Sequence, residues 1–132
     1  MEITVNEQTQ KFYLALDRWV DVVGHEITIG KYRFCAIPIK DHINVSEVTT
    51  GAKVYNIPVD LTIALLTQTK EDTIQFLYKV GESVKRIIEK QDDFDAVLAD
   101  MKKIAFERLG DMPPIENVDT DWVIEDESEV LN

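Results

Sequence analysis

The residues that could do covalent chemistry are sparse in this chain of 132 residues: one cysteine, Cys35, and two histidines, His25 and His42. A cysteine attacks only as its thiolate, so near neutral pH it needs an adjacent base or positive charge. Either histidine would serve if the fold brought it to Cys35. Asp41, His42 and Ser46 have the composition of a catalytic triad, but neighbours on one turn and strand rarely converge on an acyl-transfer geometry. The plainer expectation is that Cys35 is a small apolar strand residue and that both histidines are solvated residues beside turns.

Metal and nucleotide chemistry find less support. A structural zinc site needs clustered cysteine and histidine, and neither CxxC nor HExxH occurs. No DxDxDG loop is present for calcium. Asp92, Asp93 and Asp95 read as the acidic first turn of a helix, where they complement its dipole. The five glycines are scattered at 24, 30, 51, 81 and 110, in neither a GxxxxGK[ST] loop nor a GxGxxG turn. The expectation is a protein with no cofactor, no metal and no catalytic residue, and so not an enzyme.

Charge is the more informative signal. The formal net charge is −11. Eight of the acids (Asp111, Glu116, Asp119, Asp121, Glu125, Asp126, Glu127 and Glu129) lie beyond Gly110, where there is no lysine or arginine, leaving 17 acids against 14 bases before it. Direct nucleic-acid binding is disfavoured, because phosphate contacts need a basic surface. Carboxylates in a row can instead occupy a groove that normally holds phosphates, with a salt-sensitive attraction. The expected partner-binding residues are therefore Asp119, Asp121, Trp122, Val123, Ile124, Glu125, Asp126, Glu127 and Glu129, with the apolar trio as anchor. The basic residues Lys79, Lys85, Arg86 and Lys90 form either a solvated face or a surface for an anionic partner, this chain's own acidic segment included.

The expected function is a small acidic protein-binding module acting stoichiometrically on a protein with a basic surface. By compositional analogy alone, it suits a phage or mobile-element inhibitor that blocks the basic groove of a nucleic-acid-handling protein. One alternative is a structural or assembly protein that self-associates as a homo-oligomer or docks into a larger complex, using Leu14, Phe106 and Trp122 to Ile124. A plain solubilising tail and an enzyme with an unrecognised site are the others. A single cysteine, no basic and apolar leader, and no apolar run of membrane-spanning length lead to the expectation of a cytoplasmic protein with no membrane contact.

The elements that must position these residues follow from periodicity. With 45% apolar and 30% charged residues, a packed core is expected. Phe12, Leu16, Trp19, Val20 and Val23 fall at helical spacing, predicting an N-terminal helix over residues 6–23 that stops at Gly24, with Leu14 off its stripe. From His25 to Pro58, β-branched and aromatic residues broken at Gly30, Asp41-His42 and Thr50-Gly51 predict a small antiparallel meander of three to four strands. Residues 59–67 suit either a strand or a short helix. Thr69 and Asp72 resemble a capping box opening a helix with Ile74, Leu77, Gly81, Val84 and Ile88 on one stripe, where Gly81 implies close approach by another element. A second helix follows, burying Phe94, Val97, Leu98, Met101, Ile104 and Ala105, and ends at Gly110. Pro113 and Pro114 then stiffen an extended segment. The predicted fold class is α+β: an N-terminal helix, the meander and two C-terminal helices packed on the sheet make one domain over 1–110, and an acidic C-terminal arm spans 111–132.

Overall fold

The structure is a computed structural model that describes residues 1–114. Five antiparallel strands come first: β1 (Ile3–Ala15), β2 (Trp19–Ile29), β3 (Tyr32–Ile39), β4 (His42–Glu47) and β5 (Lys53–Pro58), in the sheet order β1-β2-β3-β4-β5. Three helices follow, α1 (Leu61–Leu66), α2 (Lys70–Glu89) and α3 (Phe94–Leu109). Although the meander has five strands rather than three to four, the α+β class and an antiparallel meander match the expectation from sequence. The N-terminal helix does not.

Residues 6–23 are instead two paired strands joined by a turn at Leu16 to Arg18, with Phe12 opposite Val22 and Leu14 opposite Val20. Phe12 and Leu14 are both buried, whereas Leu16, assigned to the helical stripe, is 49% exposed. The segment satisfied both periods, and its Val, Tyr, Phe and Trp content favours the pleated surface. Leu14, off the helical stripe, belongs to the correct period of two. Gly24 is no helix stop: it lies within β2, where a methyl group would sit 2.2 Å from the Ala36 carbonyl oxygen. Only glycine lets the backbones approach so closely.

The sheet carries two cores, one on each face. On one face Val5, Ile27, Ile29, Phe34, Ala36 and Val45 pack under the α2 stripe of Ile74, Leu77, Val80, Val84 and Ile88. The outer halves of β1 and β2 curl over the other face, enclosing Phe12, Leu14, Cys35, Ile37 and Val48. The curl is tied where the Ala15 N–H donates to the Gly51 carbonyl at 2.9 Å. Gly51 has φ of +70°, and a side chain there would meet Ala15, Tyr13 and Trp19 within 3 Å, so both its conformation and its surroundings require glycine.

Helix α2 starts as the capping box predicts, with the Thr69 hydroxyl accepting from the Asp72 N–H at 3.0 Å. Gly81 faces the sheet, where a methyl group would lie 2.6 Å from Ile3 Cγ2 and 3.3 Å from Ile27 Cγ2. The ambiguous stretch after Pro58 is helix α1, because Asp60 caps it by accepting from the Ile63 N–H at 2.9 Å. Helix α3 opens on Asp93, which accepts from the Ala96 N–H. Phe94 and Ala105 are buried as expected, but Ile104 is 63% exposed. Phe106, expected off the buried face, packs edge-on against Trp19 with ring centroids 5.6 Å apart. Trp19, at the start of β2, is the aromatic partner that draws that turn of α3 inward at the expense of Ile104.

Candidate functional site

The residues with nucleophilic chemistry are kept apart by strand register. Cross-strand partners share a face, so His25, opposite Ala36, lies on the face away from Cys35. Its Nδ1 is 2.8 Å from the Asn6 carbonyl oxygen. His42 pairs with Ile39, on the Cys35 face but about 13 Å along at roughly 3.3 Å per residue. Cys35 is buried, and loss of hydration pushes its thiol up to about 12, which removes the thiolate at neutral pH. Ser46 likewise stands four residues from His42 on the same strand, and its hydroxyl donates to Asn44 Oδ1. Asp41 does approach His42, with Oδ1 3.4 Å from Nδ1, yet no triad forms.

Two of the three acids at the start of α3, Asp93 and Asp95, have structural roles. Asp93 caps the helix, and Asp95 accepts from Lys31 Nζ at 2.8 Å. Among the described residues no group of three or more histidine, cysteine or acidic side chains is placed to hold a metal ion, and no helix is long and apolar enough to cross a membrane. Of the four basic residues singled out on α2 and its C-cap Lys90, Arg86 donates to Ser83 Oγ on its own helix.

The expected partner-binding residues, Asp119, Asp121, Trp122, Val123, Ile124, Glu125, Asp126, Glu127 and Glu129, lie outside the described residues. What the fold does define is the root from which they continue. The indole Nε1 of Trp19 donates to the Gly110 carbonyl at 3.2 Å, and the Arg108 guanidinium donates to the backbone carbonyls of Leu16 and Ala15. Lys102 Nζ sits 5.4 Å from the centre of the Phe106 ring, which in turn packs on Trp19. These contacts clamp the last turn of α3 to the β1–β2 turn, fixing where the chain leaves the domain. The sequence signals for this clamp were weak, since Trp19 and Gly110 are 91 residues apart.

A second feature escaped sequence reading altogether. On α1, Leu61 is 77% and Leu65 56% exposed, and Leu66 is also open to solvent. Only Ile63 of that helix turns toward the core. Leu65 and Leu66 border a shallow groove of about 150 Å³ with Phe76 and Lys79 of α2. Conversely, two residues assigned to a docking surface are used inside the fold, Leu14 in the second core and Phe106 against Trp19.

Compared with protein-family models, curated proteins and solved structures, the chain matches none of them, so its function is argued from its own charge and geometry.

Proposed function

We propose that this chain is a small acidic protein-binding module that acts stoichiometrically, presenting the carboxylates beyond Gly110 to a partner with a basic surface. The observation that carries this reading is the segregation of charge: eight acids and no base follow Gly110, against near balance before it. A run of one sign without counter-charges steers a complementary partner and raises its association rate. The clamp of Trp19 and Arg108 on the end of α3 supports the reading, because a segment leaving a fixed point loses less freedom on binding than one leaving a frayed helix.

In its sharper form the partner is a nucleic-acid-handling protein whose basic groove the carboxylates occupy in place of phosphates, as an inhibitor from a phage or mobile element would do. The protein turns over no substrate and touches neither nucleic acid nor membrane directly. Its lone cysteine in an apolar core suits a reducing compartment, and we place it in the cytoplasm.

The test is a pull-down from cell lysate at low and high salt. The full chain is compared with a variant carrying Glu125→Gln, Asp126→Asn, Glu127→Gln and Glu129→Gln. The full chain should capture basic proteins at low salt and release them at high salt, and the variant should capture few. Identical partners for both would remove the proposal.

A second reading, that the protein self-associates or docks into a larger assembly, is favoured by the exposed leucines of α1, an apolar patch of the kind that marks contact surfaces. Light scattering on a sizing column separates the two readings. An oligomer dissolved by Leu61→Asp and Leu65→Asp would support assembly, and a monomer across micromolar concentrations would count against it.

A further inference from the structure

The curl of the sheet leaves an open end, and a cleft of about 330 Å³ enters it between the end of β1 and the strands β4 and β5. Its walls are apolar, formed by Leu14, Leu16 and Ile39. Its polar groups come from one row of the sheet: His42, Asn44 and Ser46 alternate on β4, and Ser46 pairs with Lys53 of β5, so all four side chains share the curled face.

Asn44 is only 7% exposed. Its side-chain oxygen takes the Ser46 hydroxyl, while its amide nitrogen donates to no group among the described residues. No buried side-chain nitrogen or oxygen there lacks a partner, so that nitrogen opens on the cleft. Lys53 forms no ion pair among the described residues. None of the residues lining the cleft is acidic; Asp41, beside His42, is not part of the lining. The cleft therefore offers apolar walls, a fixed N–H donor at depth and an unneutralised ammonium, with no acidic side chain in its lining.

We propose that this cleft binds a small carboxylate with an apolar body, of the class of medium-chain fatty acids. The carboxylate bridges the Asn44 amide and the Lys53 ammonium, and the hydrocarbon lies along Leu14, Leu16 and Ile39. Charge-assisted hydrogen bonds to a carboxylate are about twice as strong as neutral ones, so the head group sets the selectivity. A volume near the lower end of the range for small-molecule pockets limits the ligand to a short one.

The test titrates the full chain with octanoate, octan-1-ol and acetate, followed by backbone amide shifts and calorimetry. Octanoate should bind saturably, moving the amides of Leu14, Asn44 and Lys53. Octanol should bind at least about tenfold more weakly for want of the ionic contact, and acetate should not bind measurably. Lys53→Gln, a surface change that leaves both cores intact, should weaken octanoate about tenfold and leave octanol unchanged. Asn44→Asp, which sets a like charge against the ligand, should abolish octanoate binding. Equal affinities for octanoate and octanol would overturn the proposal. So would an unaltered octanoate affinity in Lys53→Gln, or shifts confined to the α1 leucines.

Discussion

Replacing Gly81 by alanine sets two effects of known size against each other, and the sign of the outcome reports how α2 sits on the sheet. In an exposed helix interior the change stabilises by about 1 kcal/mol. Here the new methyl group would lie 2.6 Å from Ile3 Cγ2 and 3.3 Å from Ile27 Cγ2, where unstrained carbon contacts need roughly 3.5–4.0 Å. Both neighbours are β-branched, with little rotamer freedom to yield. Overpacking costs about 1–3 kcal/mol, and an overlap of this size against two stiff side chains falls toward the upper end. Gly81→Ala should therefore destabilise by about 1–2 kcal/mol net, lowering Tm on the order of 4 °C per kcal/mol for a domain of this size. Denaturant unfolding followed by circular dichroism measures it. In an Ile3→Ala background the closest atom is gone, and the same substitution should become neutral or stabilising, a coupling of about 1–3 kcal/mol between the two sites. Stabilisation by Gly81→Ala in the otherwise unchanged protein would refute the packing of α2 against β1 and β2.

Three further outcomes follow from the geometry. Glu47 is buried and its Oε1 accepts from the Thr50 N–H and the Thr49 hydroxyl, holding the β4–β5 turn; Glu47→Ala strands the buried Thr50 N–H and should cost about 1–3 kcal/mol in denaturant unfolding, and Glu47→Gln, which keeps an acceptor, should cost less. Cys35, its thiol raised to about 12 by burial, should resist alkylation in the native protein and react once denaturant is added; labelling of the native state at the rate of a free thiol would contradict its place in the second core. The Arg33 guanidinium donates to both carboxylate oxygens of Glu26, at 2.8 and 2.9 Å, and holds that carboxyl below its usual 4.5. Because the folded pKa is the lower one, the pair's stabilisation is present above about 4.5 and is lost as pH falls through the folded value. The stability difference between the unaltered protein and Glu26→Gln should shrink over that acid range, and a constant difference would count against the pair.

The parts of the fold that could be read from sequence are those fixed by local signals. Thr69 and Asp72 announce the start of α2, its apolar stripe from Ile74 to Ile88 is continuous over about four turns, and Gly30 and Gly51 mark turns that need positive φ. Residues 6–23 failed because local periodicity allowed both answers. The decision came from pairing with β2 and from the space that only Gly24 leaves beside Ala36, neither visible in a window of the sequence. Ile104 and Phe106 exchanged roles for the same reason, since Trp19, which draws Phe106 inward, lies far away in the chain. The cleft depends on the Ser46–Lys53 register and on the Ala15–Gly51 tie, so its polar and apolar residues, drawn from four strands, carry no common motif. The acidic segment, by contrast, is wholly a property of composition.

The central claim is that charge beyond Gly110 drives association. Its most direct measurement is the affinity of the full chain for a captured partner across a series of salt concentrations, beside the variant with Glu125, Asp126, Glu127 and Glu129 neutralised. The account predicts an affinity that falls steeply with salt in the full chain, and a weaker, flatter dependence in the variant. Matching affinities and matching slopes for the two proteins would contradict it.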